Sequence, residues 1–272
     1  MIKPGEIQMK AREVGVRDQQ IEKDYMLSWI LQGVAQHGQL SKAIVFKGGT
    51  VLKKIYFEDY RFSEDLDFTL LNNDITNEKI VEWFKETFEY ILEEANIRLE
   101  IIDNKEHDPD REPGGGINFY ISYVGPLGGQ GNNKKVKVDI SRSEKLEFKP
   151  VRKTVLPGYS DMTKHQLLCY ALEEVLVEKM RTVMQRMQAR DFYDIWYLLE
   201  QHGMEVNFYL KEFANKCESK KLNPADFPKK LAERLPQYKG RWESSMNEQI
   251  HDLPDFDKVK REVQRHLKKM KL

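Results

Sequence analysis

The first part of the chain contains short stretches in which apolar and polar residues alternate, or in which apolar residues are consecutive. In the rest of the chain, apolar residues recur at helical spacing. Apolar residues recur every three or four positions over 17–36 and 77–95, which predicts two helices. Strands are predicted at 43–47, 65–70, 97–102, 117–124 and 135–141. After about residue 160 the strand signals end, and helices are predicted over 164–188, 190–202, 206–219 and 257–270.

This order of elements predicts an α+β protein with two domains. The first domain, 1–158, would hold a mixed sheet and an N-terminal helix, and the second, 159–272, would be all-helical. The boundary is predicted between Leu156 and Thr163, where the segment PGYSDM interrupts the pattern. With 272 residues the chain is long enough to bury a sizeable core.

The segment SEDLDF carries two carboxylates on one face of a predicted strand. Leu66 and Phe68 supply the apolar face, whereas Asp65 and Asp67 alternate with them and therefore point the same way. At about 3.3 Å of rise per residue their Cα atoms would lie roughly 6–7 Å apart, so both side chains could reach one cation. The pattern fits either a metal site or a solvated strand face.

A third carboxylate, Asp139, alternates with Val138 and Ile140 in the segment KVKVDIS. If this strand lies beside SEDLDF, Asp139 joins Asp65 and Asp67. Three carboxylates suit Mg²⁺ or Mn²⁺, which prefer oxygen ligands and substrate phosphate to histidine or thiolate. Solvent exposure of the strand explains the same alternation.

A glycine pair, Gly48 and Gly49, follows the predicted strand at 43–47, and Thr50 is the expected N-cap of the next helix. Backbone N–H groups of such a turn can approach an anion closely, and a helix N-terminus attracts negative charge. Phosphate binding is therefore predicted at this turn, although the chain contains neither a Walker loop nor a G-x-G-x-x-G motif.

Composition narrows the class of protein. The 44 basic residues balance 44 acidic ones, which excludes a globally basic nucleic-acid-binding protein. We find no apolar stretch of membrane-spanning length and no signal-peptide pattern, so no membrane association is expected. Cys169 and Cys217 show no metal-type spacing, and a reducing cytoplasm is the expected location.

The segment from Asp257 to Leu272 is locally basic. It could contact the phosphates of a nucleic acid, or it could be the solvated face of a terminal helix. Against Asp257 and Glu262 stand seven basic residues, which are Lys258, Lys260, Arg261, Arg265, Lys268, Lys269 and Lys271.

Two further groups of polar residues bear on a possible metal site. His107, Asp108 and Asp110 lie in a loop rich in proline and glycine, but their spacing fits no common metal site, and the loop is interpreted as a connector. Arg61 could orient the carboxylates of SEDLDF, or it could lie on the surface.

Charged residues also occur within the helical patterns. Lys179 falls on the apolar stripe of residues 168–183, so it must be buried, paired or aimed into a cleft. Arg190 and Asp194 are four residues apart on the next helix and could form a structural ion pair. The aromatic residues of that helix fit core packing better than base stacking; they are Phe192, Tyr193, Trp196 and Tyr197.

The segment FKGGTVLKKIYFEDYRFSEDLDF resembles the first motif of the DNA polymerase β-like nucleotidyltransferases, and more narrowly that of the AbiEii/AbiGii toxin family. Three further segments are similar to segments of that family in the same order. IEKDYMLSWIL at 21–31 resembles its N-terminal helix, VDIS at 138–141 the strand with the third carboxylate, and EKMRTVMQRMQARDFYDIWYLL at 178–199 its helical motif. The resemblance covers most of the chain.

The resemblance implies a polymerase β-like nucleotidyltransferase domain followed by a helical domain that completes the active-site cleft. It implies Mg²⁺- or Mn²⁺-dependent transfer of a nucleoside monophosphate from an NTP to a hydroxyl, with the 3′ end of tRNA favoured, and a cognate antitoxin. Asp65, Asp67 and Asp139 would bind metal and act in catalysis, together with Lys179 and Asp194. The nucleotide-binding residues would be Gly48, Gly49, Thr50, Lys53 (or its neighbour Lys54) and Arg190.

Two other interpretations stay open. The acceptor could be a protein side chain or a small molecule, or the chain could bind nucleotide as a regulator without turnover. Loss of growth inhibition after mutation of Asp67 would favour an enzyme over a regulator. The residues alone do not rank ATP, GTP, CTP and UTP.

Overall fold

The computed structural model describes residues 1–107, 115–129 and 134–270. The chain divides into two units: the first holds Met1–Glu144 and Pro150–Tyr170, and the second holds Lys145–Lys149 and Ala171–Leu272. Asp108 and Asp110 of the polar loop, and Lys271 of the basic segment, lie outside the described residues.

A mixed sheet forms the centre of the first unit. Within the described residues its strands are β1 (Ile44–Lys47), β2 (Asp65–Leu70), β3 (Leu99–Glu106), β4 (Gly116–Tyr123), β5 (Lys135–Ser141), β6 (Val151–Thr154) and β7 (Gln166–Cys169). They lie in the order β3–β4–β5–β2–β1–β7–β6. The pairs β2–β5 and β1–β7 are parallel, and the other pairs are antiparallel. The predicted mixed sheet is confirmed.

One face of this sheet carries the apolar core of the first unit. The ring centroid of Phe68 on β2 lies 5.5 Å from that of Phe46 on β1 and 6.4 Å from that of Phe84. Phe84 also packs on Phe119 of β4 at 5.0 Å, and all four rings are buried. Because successive side chains of a strand point to opposite faces, this packing leaves the carboxylates of SEDLDF on the other face.

Five helices complete the first unit within the described residues: α1 (Pro4–Val14), α2 (Asp18–Gln36), α3 (Leu40–Ala43), α4 (Gly48–Val51) and α5 (Asn77–Ala95). A π-helical turn, Leu52–Tyr56, continues α4. The Thr76 hydroxyl caps α5 by accepting a hydrogen bond from the backbone N–H of Lys79. Helix α2 packs against α5 and against β5 and β7. The two helices predicted over 17–36 and 77–95 are confirmed.

The described part of the second unit is largely helical, with α6 (Leu172–Thr182), α7 (Ala189–Trp196), α8 (Leu210–Ser219), α9 (Phe227–Met246) and α10 (Phe256–Leu267). Short π and 3₁₀ turns lie between them, at Tyr197–Gln201, Val206–Tyr209 and Pro224–Asp226. Phe192 stacks on Tyr238, with ring centroids 5.5 Å apart, and contacts Trp242 at 6.4 Å. Phe192, Tyr193 and Trp196 are buried, so the prediction of core packing is confirmed for these rings.

Three local predictions are wrong. Strand β7 occupies 166–169, where a helix was predicted from 164, and β6 occupies a segment with no predicted strand. Each has four residues, which is too short for a period to be recognised. Helix α9 was missed because it contains Pro236 and Gly240, which disfavour a helix interior. Since β6 and β7 join the sheet, the first unit extends to Tyr170 and not to the predicted boundary at 158.

Candidate active site

Asp65 and Asp67 lie on the polar face of β2, and both side chains are partly exposed. The strand register places Asp67 opposite Lys47 of β1 and opposite Asp139 of β5, and it places Asp65 opposite Lys137. Directly paired residues of neighbouring strands point to the same face, so these carboxylates and lysines share one area of the sheet. The expectation that KVKVDIS lies beside SEDLDF is confirmed. We call Asp65, Asp67, Asp139 and Lys137 the strand-face cluster.

Gly48 begins α4 beside the carboxylate of Asp67. Its φ of 81° lies in the left-handed region, which glycine adopts without a steric penalty. A Cβ added at this position would collide with Oδ2 of Asp67. Glycine is therefore required at position 48 for two reasons: the left-handed backbone turn and the close approach of the Asp67 carboxylate to the backbone.

Thr50 does not cap the helix as predicted. Helix α4 begins at Gly48, with Lys47 as its N-cap, because the left-handed Gly48 turns the chain two residues earlier. The Thr50 hydroxyl instead donates a 2.5 Å hydrogen bond to the carbonyl of Asp65. This bond fixes the start of β2 to α4, and Gly49 is buried in the same turn.

Asp139 is held by a lysine and a histidine. Lys137 Nζ donates a 3.0 Å hydrogen bond to Oδ2 of Asp139, and His107 Nε2 lies 3.5 Å from Oδ1. Burial lowers the pKa of Lys137, but the carboxylates of Asp139, Asp65 and Asp67 outweigh it and raise this pKa above its ordinary value. Lys137 therefore stays charged within the strand-face cluster.

His107 is the last residue of the described range 1–107, and its side chain is only 7% exposed. Its backbone N–H donates to the carbonyl of Gly116 at 3.0 Å. A Cβ added at Gly116 would lie 2.5 Å from His107 Nδ1, so this glycine makes room for the imidazole ring. Sequence spacing could not reveal the contact with Asp139, because it results from two strand pairings, that of β3 with β4 and that of β4 with β5. Lys137 could have been found, since it alternates with Asp139 on one strand.

The strand-face cluster fits a divalent cation by the type of its ligands, because carboxylate oxygens are what Mg²⁺ and Mn²⁺ prefer. Within the described residues, no group of three Asp, Glu, His or Cys side chains is arranged to hold a metal ion. Asp65 and Asp67 are the residues that would hold the ion. Asp139 could join them after its oxygens exchange a present partner, Lys137 or His107, for the ion.

Lys53 and Lys54 were predicted to assist with a triphosphate. Lys54 is buried, and its Nζ lies 2.6 Å from Oδ2 of Asp24 and 2.7 Å from Oγ of Ser28. The ammonium of Lys54 is therefore bound by side chains of α2. Lys53 remains partly exposed and donates a hydrogen bond to the carbonyl of Glu58. Burial lowers the pKa of Lys53 below its ordinary value.

Three consecutive charged residues of α2 bind three different segments. Glu22 accepts a 2.8 Å hydrogen bond from the backbone N–H of Leu127. Lys23 pairs with Glu64, the residue before β2, at 2.9 Å. Asp24 holds the ammonium described above. Helix α2 therefore fixes the segment that leads into the carboxylates of β2.

Arg61 is 2% exposed, so the alternative of a surface arginine is wrong. Its Nη1 donates a 3.1 Å hydrogen bond to the carbonyl of Phe62, and its guanidinium lies 5.6 Å from the ring centroid of Tyr60. A role in orienting the carboxylates of SEDLDF stays a prediction.

The second unit holds a separate set of charges around Lys179. Its Nζ lies 2.7 Å from Oδ1 of Asp191 and 2.6 Å from Oδ2 of Asp194. Arg186 Nε adds a 2.7 Å contact to Oδ2 of Asp191. Lys179 and both aspartates are buried, whereas Arg186 is exposed. We call these four residues the helical cluster.

Lys179 is thus both buried and paired, which were two of its three predicted states. Burial raises the pKa of Asp191, but Lys179 and Arg186 outweigh it and hold this pKa well below its ordinary value. Asp194 pairs with Lys179, and Arg190 lies half-buried in the first turn of α7. Asp191 was missed, although its position three residues before Asp194 on one helix was visible in the sequence.

Helix α10 buries Val259 and Val263 and exposes basic residues along its other side. The exposed ones are Lys258, Arg261 and Arg265 in the helix, and Lys268 and Lys269 directly after it. Arg265 pairs with Glu200 at 2.5 Å. This is the solvated helix face that was one of the two predicted alternatives, and a contact with phosphates stays a prediction. None of the described helices combines the length and the apolar character needed to cross a membrane.

A protein-family model described as the nucleotidyl transferase AbiEii toxin of type IV toxin–antitoxin systems matches residues 29–262, which is well over half of the chain. The matched range contains the glycine turn, the strand-face cluster and the helical cluster. A comparison with curated proteins gives no match.

Solved structures share the fold. A candidate nucleotidyltransferase from H. pylori is 17% identical with a TM-score of 0.59, and the match covers 93% of this chain and 95% of that one. The nucleotidyltransferase toxin MenT4 of Mycobacterium tuberculosis is 15% identical with a TM-score of 0.54, covering 98% and 99% of the two chains. At these identities the likeness concerns the fold, and it confirms the α+β class with a helical C-terminal region.

Proposed function

The chain belongs to the AbiEii nucleotidyltransferase toxin family of type IV toxin–antitoxin systems, and from this premise we propose that it transfers a nucleoside monophosphate from an NTP to the 3′ end of tRNA. Membership makes the chain a nucleotidyltransferase toxin; the acceptor, the metal requirement and the roles of single residues are the proposal. The observation that carries it is the row of carboxylates on β2 and β5 beside the left-handed turn at Gly48.

The proposed reaction is a displacement at the α-phosphorus of the NTP. The oxygen of the acceptor hydroxyl forms a bond to this phosphorus as the bond to the β-phosphate oxygen breaks, and pyrophosphate leaves. Asp139 takes the proton of the hydroxyl. Positioning of the two reactants accounts for much of the rate in phosphoryl transfer, so the residues that fix the triphosphate matter as much as the base.

The turn at Gly48, Gly49 and Thr50 is the proposed triphosphate site. Backbone N–H groups at the start of α4 can donate to phosphate oxygens, and the lack of a side chain at Gly48 lets a ligand approach the backbone closely. Lys53 is the lysine of this segment that is partly exposed, and it could add charge, whereas Lys54 is buried against Asp24.

Asp65 and Asp67 would hold Mg²⁺ or Mn²⁺, with Asp139 as the third ligand. Such an ion, when bound, neutralises phosphate charge and favours ionisation of the attacking hydroxyl. Asp65 and Asp67 point from one strand face, with their backbone fixed by Thr50 and by the pairing of β2 with β1 and β5. This fixed backbone would set the spacing of the two carboxylates before any ligand arrives.

The helical motif is assigned to activity by family resemblance. We assign Lys179 to nucleotide phosphate, Asp194 to catalysis and Arg190 to nucleotide binding. The ion pairs of Lys179 with Asp191 and Asp194 also support a structural role. Lys179→Arg keeps the positive charge of the side chain. Compared with Lys179→Met, discussed below, it tests whether Lys179 contacts phosphate or stabilises the fold.

The tRNA acceptor draws support from the family resemblance and from the basic face of α10. The positive charges along that helix suit the phosphate backbone of an RNA. A cognate antitoxin is the proposed protein partner, because the family is one of toxin–antitoxin systems.

The test is transfer of label. Purified protein is incubated with Mg²⁺, total bacterial tRNA and each α-³²P-labelled NTP in turn, and products are resolved on a denaturing gel. The catalytic control is the double variant Asp65→Asn, Asp67→Asn. The matched control is Asp74→Asn, which makes the same chemical change at an exposed turn residue after β2.

Label in tRNA with the wild type and with Asp74→Asn, but not with the double variant, would support the proposal and name the nucleotide. Label in protein or in a small molecule would keep the chemistry and reject tRNA as acceptor. Nucleotide binding without any transfer would favour a regulator. Transfer that persists in EDTA would reject the metal requirement alone.

A further inference from the structure

Lys137 lies among the carboxylates of the strand-face cluster, and the proposed mechanism gives this lysine no role. It lies opposite Asp65 in the ladder, and its Nζ is 3.0 Å from Oδ2 of Asp139. Its side chain is 35% exposed, so solvent reaches about a third of its surface. The group is therefore charged, accessible and next to all three proposed metal ligands.

The two oxygens of Asp139 both face a nitrogen of a neighbouring side chain. Oδ2 faces Lys137, and Oδ1 faces His107 at 3.5 Å. A divalent cation that uses Asp139 needs at least one of these oxygens. Because two positive charges at one oxygen repel each other, the ion and the ammonium compete for the same place.

The ammonium can leave without a change in the backbone. Lysine carries its charge on a flexible stem of four carbons, and a partly exposed ion pair is worth only about 1 kcal/mol or less. The strongest new negative charge near the cluster would be the triphosphate of the NTP. An ammonium displaced from Asp139 would therefore find a partner there, since lysine pairs readily with phosphate.

The geometry points to Lys137 as an exchangeable counter-ion, which holds Asp139 while the site is empty and moves to the NTP phosphates when a divalent cation takes its place. This inference rests on the proposed function. It makes assembly of the metal site depend on the nucleotide.

Two measurements test the exchange. The first is the Kd for Mn²⁺ of the nucleotide-free protein, followed by the electron paramagnetic resonance signal of free Mn²⁺. The second is the KM for the NTP at saturating Mn²⁺. The variants are Lys137→Met, Lys137→Gln as a second neutral replacement should the first not fold, and Lys135→Met as the matched control. Lys135 lies on the same strand and face, but its ammonium is over the ring of Tyr120, 4.5 Å from the centroid.

We expect Lys137→Met to bind Mn²⁺ about threefold to tenfold more tightly without nucleotide, because the competing charge is gone. The KM for the NTP should rise by a similar factor, because a phosphate contact is lost. Lys135→Met should change neither value. Opposite shifts of these two constants are not the result of a damaged fold, which would weaken both.

Equal Kd values for Mn²⁺ in the wild type and Lys137→Met would overturn the exchange and leave the proposed function intact. Weaker Mn²⁺ binding in Lys137→Met would also overturn it. Absence of Mn²⁺ binding in both nucleotide-free proteins would overturn the exchange, whereas transfer that persists in EDTA would reject the metal requirement of the proposed function.

Discussion

The strand-face cluster and the helical cluster both hold aspartates and a lysine, but their balance of charge and their exposure differ. Asp65, Asp67 and Asp139 are partly exposed and stand against Lys137 and, at a longer distance, His107. Asp191 and Asp194 are buried, and Lys179 contacts both within 2.7 Å. The carboxylates of the first cluster are partly exposed, whereas Lys179 and the two aspartates of the second cluster are buried and closely paired.

This difference predicts that mutations in the two clusters change activity and stability to different degrees. A buried charge is costly unless it is paired, so removal of one partner exposes the full cost of the other. A partly exposed carboxylate is hydrated and contributes little to the free energy of unfolding. Chemistry should therefore depend most on the strand face, and stability most on the helical cluster.

The largest expected effect comes from Asp67→Asn. We expect nucleotide transfer to fall by about a thousandfold or more, because the amide removes a metal-ligand charge without changing the shape. The free energy of unfolding should change far less than in the Lys179 variant described next. Labelled-NTP transfer and urea unfolding measure the two quantities. Full activity of Asp67→Asn would remove the strand face from the proposed reaction.

Lys179→Met should have a much larger effect on stability than Asp67→Asn. It leaves Asp191 and Asp194 buried without their shared ammonium, and we expect the free energy of unfolding to fall by about 3–5 kcal/mol. Urea unfolding followed by fluorescence measures this change. Arg186→Met is the matched control, because it removes a contact to Asp191 from an exposed side chain and should cost much less. A stable Lys179→Met protein without activity would show that the helical cluster serves the reaction more than the fold.

The strand-face cluster was largely predictable because the alternation of apolar and polar residues shows which side chains share a face of a strand. Asp65, Asp67 and Asp139 needed one further assumption, the pairing of β2 with β5, and the structure confirms it. His107 needed the pairing of β3 with β4 as well, and no local pattern carries that information. Contacts that depend on one ladder can be inferred from sequence, whereas those that depend on several cannot.

The helical region was less predictable for a different reason. Helical periodicity places Lys179 on an apolar stripe but does not say which carboxylate neutralises it, and Asp191 was overlooked in favour of Asp194. Local propensity also failed where tertiary packing overrides it. Helix α9 forms despite Pro236 because Leu235, Tyr238 and Trp242 bury one of its sides.

Gly48→Ala tests whether the carboxylates of the strand face depend on the glycine turn. Alanine is strained at a φ of 81°, and its Cβ would collide with Oδ2 of Asp67. We expect a loss of about 2 kcal/mol in the free energy of unfolding, and a loss of transfer as Asp67 is displaced. Gly240→Ala, in α9 with no atom within 4 Å of the added Cβ, should instead gain about 0.5–1 kcal/mol. Unchanged activity of Gly48→Ala would contradict the proposed triphosphate site.

The smallest expected effect is the response of the helical cluster to acid. The pKa of Asp191 in the folded protein is held well below its ordinary value of 3.8 by Lys179 and Arg186, although burial opposes them. Its ion pairs therefore stabilise the fold fully above about pH 5, and this contribution is lost as the pH falls toward the folded-state pKa. Between pH 7 and pH 3 we expect the loss from this one group to be about 1 kcal/mol, since the unfolded chain binds the proton first.

Urea unfolding at a series of pH values measures this loss. Other carboxylates add to the acid sensitivity of the whole protein, so the informative quantity is the difference between the wild type and Asp191→Asn. Asparagine cannot take up the proton, and the variant should be less stable at pH 7 but should lose less stability on going to pH 3. Equal losses in the two proteins would mean that Asp191 is not held ionised by its neighbours. The helical cluster would then lack the close pairing that distinguishes it from the strand face.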